Sequence, residues 1–483
     1  MTNTDSGLHT PPDTPDVGLH TSAGKAVIAA AVLGSALAYM SDDMLNVALP
    51  TVSRDLAVGV TEMQWVVNGY FVTMLSLMLT AGSIGDVKGH RRMFLGGLAV
   101  FSCGAMVSAT APSVPLLVIG RAVQGVGAAF LLASGLALVN GSFSDDERGK
   151  AVGTYMGMTA VSTAVGPALG GLLVDLLSWR AIFVAPLVFP LAAAIVTVRK
   201  VPEFRVVRDR HPDVRGAGLA FLTFASFSIA LIGGPGDWLR PRTVTAIVLA
   251  ALGGVAFLRS QRHSCDPMMP LDLFRNWTFS GGNLVTLIAY MVSAGVFLFV
   301  VVQLQSTLGY EPAAAGAALM PIYFIMLVGS PWAGRVADRI GARTPIVAGL
   351  CILAGGVYWL GQVQSGSRFL TEIFPAMVVF SLGLAVVGAP LTIATLGAAG
   401  ADEQGVASGV NNTVGQLGGL LMIAILPTAA GLSGRALKGP VFAAGYETAM
   451  LICSLLTLGA AVIAAVTIRT GSHANQPESL EPT

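Results

Sequence analysis

The chain reads as an all-α integral membrane protein of fourteen spans, arranged as two six-helix bundles with two extra helices between them. Three observations predict this. The first is composition: 54% of the 483 residues are hydrophobic and 11% charged, with a mean hydropathy of +0.73, where a soluble domain carries about 25% charged residues. The second is that apolar runs near the ~20 residues needed to cross a bilayer core of about 30 Å recur along the chain. They lie near 26–48, 64–85, 93–111, 116–139, 150–174, 181–198, 216–234, 243–258, 278–302, 313–333, 345–361, 373–397, 404–430 and 446–468. The third is a charged hairpin that occurs twice between such runs, as GSIGDVKGHRR (Gly82–Arg92) and GRVADRIGART (Gly334–Thr344). Asp86 and Asp338 are 252 residues apart (338 − 86), as are Gly89 and Gly341 (341 − 89). A hairpin copied eight spans later marks a duplicated membrane domain.

The division that follows is a cytoplasmic tail (1–25), an N-terminal bundle (26–198), a cytoplasmic linker (199–215), two extra spans with the loop after them (216–277), a C-terminal bundle (278–468) and a second tail (469–483). The first tail is polar and rich in Pro and Asp, without the basic start and small-residue cleavage site of a signal peptide. The four cysteines form no CxxC pair: Cys103, Cys351 and Cys453 fall in spans and Cys265 in a loop. Neither a disulfide framework nor a metal site is expected. Lys and Arg concentrate on the segments that face one side if both termini are inside, above all in Arg199–Arg215, so both termini are expected in the cytoplasm. The loop Gly397–Gln404 gives that assignment no help, since it carries acids and no base.

Span 1 contains AYMSDDMLNVALP, residues 38–50. Asp42 and Asp43 are costly at membrane depth, and acids there tend to face a cavity. Neighbouring helix positions differ by about 100°, so one carboxylate can face a cavity while the other points aside. Desolvation and mutual repulsion favour a protonated carboxyl, which suits a group that picks up and releases protons. The bland reading places both acids at the outer interface. Asn46 shares their helix face.

Span 2 begins QWVVNGYFV, residues 64–72. Trp65 and Tyr70 read as an aromatic belt at the outer interface, and Asn68 as a cavity residue or as packing glue. In the hairpin that follows, Gly82 permits close helix approach and Gly89 the positive φ of a tight turn. Arg91 and Arg92 start span 3. Asp86 can pair with a base or cap a neighbouring helix only while the cytoplasmic ends are together, which makes the hairpin a conformational latch. A plain topogenic turn is the competing reading, and the second copy (Gly334, Asp338, Gly341) favours the latch.

Span 4 carries IGRAVQGVGAAF, residues 119–130. Arg121 is the single base placed inside a span, with Gln124 and Gly125 on its face. A buried guanidinium needs a partner, and the acids of span 1 are available; snorkelling to the interface is the alternative. Span 5 holds STAVGPALGG, residues 162–171. Ser162, Gly166 and Gly170 strip one face for close packing, and Pro167 removes a backbone hydrogen bond and permits a kink.

These stretches carry a resemblance. GSIGDVKGHRR resembles the signature loop of the major facilitator superfamily, G-x-L-A-D-R-x-G-R-K. GRAVQGVGAA is similar to its span 4 motif R-x-x-Q-G, and GPALGG (Gly166, Pro167, Gly170, Gly171) to the antiporter motif of its exporters. With LNVALP, QWVVNGY and fourteen spans, the chain looks like the drug:proton antiporter branch of EmrB/QacA type. The resemblance covers most of residues 26–468. It implies the major facilitator fold, proton-coupled export, and proton-coupling roles for Asp42, Asp43 and Arg121. The chain departs from the pattern in places. Ser41 stands where the branch usually has an acid, Val87 and His90 where bases are usual, Ser162 for a Gly and Pro186 for an Asn.

The duplication recurs: Glu147-x-Gly149-x-Ala151-x-Gly153 returns as Glu403-x-Gly405-x-Ala407-x-Gly409, 256 residues on (403 − 147). Parallel repeats of this kind place a substrate site at their interface near the midplane. Spans 9 to 13 contain no interior acid or base. Their polar residues include Asn283, Gln303, Gln305, Tyr323, Asn411, Asn412 and Gln416, for most of which packing glue is the ordinary role. Asn46, Asn68, Gln124, Tyr323 and Asn411 are candidates to line a substrate cavity.

The expected function is proton-coupled export of small amphipathic compounds across a bacterial cytoplasmic membrane. The alternative is a facilitator-fold transporter of a specific metabolite, lipid or siderophore. An enzyme or receptor scaffold has no motif behind it: there is no P-loop, nucleophile elbow or His/Cys cluster. The expected partners are a small-molecule substrate, protons and membrane lipids, with no nucleic acid, no cofactor, and a monomer as the working unit.

Overall fold

The structure is a computed structural model that describes residues 18–203, 213–233, 239–264, 269–399, 404–432 and 439–468. Most of both tails, most of the 199–215 linker, and Cys265 lie outside the described residues. Fourteen helical spans are present when the bent second helix is counted as one. They are α1 (Ser22–Asp55), α2 (Val60–Lys88), α3 (His90–Ala109), α4 (Val114–Ser142), α5 (Glu147–Leu176), α6 (Ala181–Lys200) and α7 (Val214–Gly233). The series continues with α8 (Pro241–His263), α9 (Trp277–Ser306), α10 (Pro312–Ile340), α11 (Arg343–Gly361), α12 (Phe369–Gly397), α13 (Val406–Ala429) and α14 (Phe442–Thr467). No strand occurs among the described residues. Helices satisfy their own backbone polar groups, which lipid cannot do for them.

Two boundaries move from the sequence reading. α1 starts at Ser22, inside the expected tail, because the Thr21 side chain accepts from Gly24 N at 3.0 Å and caps the helix. It also runs on to Asp55, through Pro50. Asp42 and Asp43 therefore stand about twelve residues, or ~18 Å, from its Asp55 end.

One apolar core is built from α1 to α6 and contains Phe94, Phe101 and Leu131. A second is built from α9 to α14 and contains Phe299, Phe380 and Phe442. They interlock: Val47 of α1 belongs to the second, and Leu420 and Ile423 of α13 to the first. α7 packs on α2, α13 and α8. The outer face of α8 presents Val248, Leu252 and Val255, all exposed, to the lipid. Asp213 fixes the adjoining ends of this pair, accepting from Gly216 N and Gln261 Nε2, both at 2.7 Å.

The two hairpins have one backbone shape. Gly89 has φ +98° and donates to Gly85 O at 2.8 Å; Gly341 has φ +83° and donates to Ala337 O at 2.9 Å. Side chains other than glycine resist such φ values, so both turns depend on their glycine.

α5 is broken at Val165, ahead of Pro167, into Asp145–Ala164 and Gly166–Leu176. α10 is broken at Leu319, ahead of Pro321. Each proline lacks the N–H that would continue the ladder. The two broken helices face each other across the halves.

Candidate coupling and gating site

Asp42 and Asp43 diverge as adjacent helix positions must. Asp42 turns into the N-terminal half, where its Oδ1 accepts from Arg121 Nη2 at 3.0 Å. Arg121 is fully buried, which sets aside the snorkelling alternative. Its Nη1 donates to Ser41 Oγ and Gln124 Oε1, both at 3.3 Å, and its guanidinium lies 4.3 Å from the centre of the Tyr70 ring. Such stacking favours a desolvated cation. Gln124 Nε2 donates to Ser41 Oγ at 3.4 Å, so Ser41 holds the guanidinium in place while Asp42 supplies the charge. Arg121 Nε is buried with no hydrogen-bond partner.

Tyr70 corrects an expectation. It is buried under Arg121 and donates to Ala38 O at 2.9 Å, well away from an interfacial belt. A tyrosine two turns into a span can serve either role, and the guanidinium beside it decides.

Asp43 points the other way, to the second half. Its Oδ2 accepts from Tyr323 of α10 at 3.1 Å, and the Tyr323 ring stacks on Phe297 at 5.8 Å. Gly166 of α5 leaves room beside Asp43: a Cβ there would come within 3.4 Å of the Asp43 Cβ. Tyr39, one turn nearer the start of α1, lies beside Asn412 and Gln416 of α13. Asn46 is buried and its Oδ1 has no partner. Asn68 is fully buried with neither side-chain polar atom bonded. Asn411 donates to Asn283 Oδ1 at 3.1 Å and Thr286 Oγ1 at 3.0 Å, which ties α13 to α9 within one half.

The GPALGG stretch sits where the halves meet. Gly170 abuts the backbone of Met44, and a Cβ on Gly171 would collide with the carbonyl of Pro312. In return, a Cβ on Gly316 would collide with the carbonyl of Pro167. Just beyond, Asp175 Oδ2 accepts from Ala313 N at 2.7 Å, so the end of α5 caps the start of α10. Gln64 Nε2 donates to Ile423 O at 2.7 Å and Gln305 Nε2 to Val47 O at 2.8 Å. Among the described residues, the hydrogen bonds that join the halves lie from Asp43 toward the Asp55 end of α1.

The signature hairpin lies at the other end, and Asp86 and Arg91 bond within their own half. Asp86 Oδ1 is 2.9 Å from His90 Nε2. Arg91 Nη2 donates to Val198 O at 2.7 Å, and Arg91 N donates to Glu203 Oε1 at 3.2 Å. A Cβ on Gly82 would meet nothing within 4 Å, and Asp338 is exposed. Among the described residues, the close helix approach expected at Gly82 is absent. The hydrogen bonds that join the halves, among these residues, gather at the Asp55 end.

The sequence missed His90, Tyr70, Ser41 and Asp175 as members of these networks. His90 was legible only as a departure from a basic position, and Asp175 carries no motif at all.

The sequence profile described as Major Facilitator Superfamily matches residues 31–423. The Multidrug resistance protein Stp of Mycobacterium tuberculosis is 32% identical over 396 residues, which cover 82% of this chain and 73% of that protein. The Cephamycin export protein CmcT of Amycolatopsis lactamdurans is 32% identical over 459 residues, covering 92% of this chain and 93% of that protein. Among solved structures, a bacterial homologue of the human lysosomal transporter Spinster superposes with a TM-score of 0.66 at 13% identity, covering 92% of this chain and 97% of that one.

Proposed function

The chain belongs to the major facilitator superfamily, and from that premise we propose that it is a proton-coupled exporter of small amphipathic drugs, of the fourteen-span antiporter type. Relatives named for drug resistance and export support the cargo. The observation that carries coupling is the split of two adjacent acids: Asp42 is held by Arg121 within one half, and Asp43 by Tyr323 of the other. A proton can drive alternation only if a group binds it differently in the two states. Asp43 has that property because its partner stands across the moving interface.

The test is drug accumulation in cells with and without the protein, repeated with a protonophore. Lower accumulation that a protonophore abolishes fits the proposal. Accumulation unchanged by the protein across a cationic and neutral amphipathic panel would remove the drug-export reading, and export that ignores the protonophore would remove coupling.

Alternation runs between two bundles, 26–198 and 278–468, around the linker and the two extra helices. Two latches bias it from opposite ends. Asp175 holds the Asp55 end shut through Ala313 N. Asp86 is free to hold the hairpin end when the halves meet there, exchanging His90 for a helix terminus of the other half. Each charge-assisted bond contributes about 1.5–3 kcal/mol, enough to shift a near-balanced equilibrium about tenfold or more. Asp86→Asn is expected to impair transport at near-normal expression and to favour the open-hairpin state. Asp175→Asn is expected to shift the population the opposite way. Spin-label distances across each end read both shifts; a common direction for the two variants, or no shift, refutes opposed latches.

Basic-residue placement puts the hairpin end, the linker and both termini in the cytoplasm. In a cysteine-free background, a cysteine at position 205 is expected to resist an impermeant maleimide in intact cells and to react in inverted vesicles. Labelling in intact cells would reverse the orientation.

A further inference from the structure

A groove of about 580 Å³ lies between the start of α1 and the end of α6. Its rim carries Lys25, Arg199 and Lys200, all exposed. Its floor, deeper along both helices, is formed by Ala26, Ala29 and Ile195. We infer that this groove binds one anionic phospholipid, its phosphate on the three cations and the upper part of an acyl chain on the apolar floor.

The charges are the first argument. Among the described residues none of these three cations has an acidic partner, and Lys200 Nζ touches only Ser22 Oγ, at 3.2 Å. An ammonium has three donors, so Lys200 retains capacity for a ligand. The nearby bases behave differently. Arg91 is spent on Val198 O, and Arg92 is paired with Glu203 at 3.6 Å. Glu203 is thus taken, and among the described residues no acid pairs with the three cations of the rim. Topogenic bases need only be on the right side of the membrane. These three come from two helices and converge on one recess.

The floor is the second argument. Ser22 and Lys25 sit a turn above Ala26 and Ala29 on α1, and Arg199 and Lys200 a turn above Ile195 on α6. The groove is therefore cationic at headgroup level and apolar below it, the profile of a phospholipid. Small alanines on α1 make the recess that receives a chain. Basic pockets between transmembrane helices on the cytoplasmic side suit anionic headgroups. Free phosphate would use the rim and leave the floor uncovered.

The experiment uses the full-length protein, delipidated in detergent and titrated with phosphatidylglycerol or phosphatidylcholine, with bound lipid counted by native mass spectrometry. One phosphatidylglycerol is expected to be retained in preference to phosphatidylcholine. Lys25→Gln/Arg199→Gln/Lys200→Gln is expected to weaken it about fivefold per charge, about 100-fold in all. Ala29→Trp keeps every charge and fills the recess, and it is expected to weaken retention as well. Ile195→Trp fills it from the α6 wall and serves if Ala29→Trp unfolds. A photoactivatable phosphatidylglycerol should cross-link within residues 22–29 or 195–200. The inference falls if folded groove-filling variants retain the lipid like the wild type, since charge alone would then suffice. It falls equally if inorganic phosphate displaces the lipid, or if cross-links map elsewhere.

Discussion

Asp43→Asn is expected to reduce substrate-induced proton flux in proteoliposomes to background while substrate binding and substrate exchange persist. Asp43 lies on α1 and its hydrogen-bond donor, Tyr323, on α10. In the proposed cycle these helices separate when the Asp55 end opens, and the carboxylate exchanges a phenol for water. It can take a proton there and cross back as a neutral group, avoiding the cost of an unpaired buried charge. Asparagine has the size of the protonated acid and never releases a proton. The carrier would still alternate and bind cargo, with the coupling gone. Asp42 is placed differently, since its partner Arg121 moves with it in the same half. If Asp43→Asn retains full flux and Asp42→Asn loses it, the proton belongs to Asp42. If the double variant Asp42→Asn/Asp43→Asn still moves protons with substrate, the mechanism is wrong.

The fold was legible because a bilayer leaves the chain few choices. Every crossing needs an apolar run of set length, and the runs became thirteen helices long and apolar enough to cross, or fourteen with bent α2 counted as one. The hairpin was legible because Gly89 and Gly341 must adopt positive φ, a demand that repeats with the domain. The Arg121–Asp42 contact was legible as a need for a partner, since no other base lies inside a span. Which acid would take it was not. A shift of one residue turns a side chain by about 100°, and the packing of α4 on α1 decides which acid faces it. Tyr70 was misplaced for a related reason: an aromatic near a span end is ambiguous until its neighbours are known. The gate at Asp175 was invisible. It joins a lone acid to the backbone N–H of Ala313, and backbone donors at helix starts leave no mark on a sequence. The conformational state was equally hidden, because one chain encodes both ends of the cycle.

The largest effect on stability is expected at the buried pair, and a double-mutant cycle can separate it from function. Arg121→Gln removes a cation that is fully buried and leaves the Asp42 carboxylate, 17% exposed, without its charged partner. Breaking a buried pair from one side costs about 3–5 kcal/mol, a large share of the stability of a typical domain. The variant is expected to unfold at markedly lower temperature and to give no transport. Asp42→Asn alone leaves the guanidinium with Ser41, Gln124 and the Tyr70 ring, so its cost is expected to be smaller. In Arg121→Gln/Asp42→Asn neither partner is charged and no ion is left uncompensated, so thermal stability is expected to return most of the way to wild type. Transport is not expected to return with it. Arg121 reaches Ser41, Asp42, Gln124 and Tyr70 together, and a glutamine cannot span the four. Stability and transport recovering together in the double variant would make the pair a structural brace only. Stability recovering without transport would assign the guanidinium a working role beside Asp43.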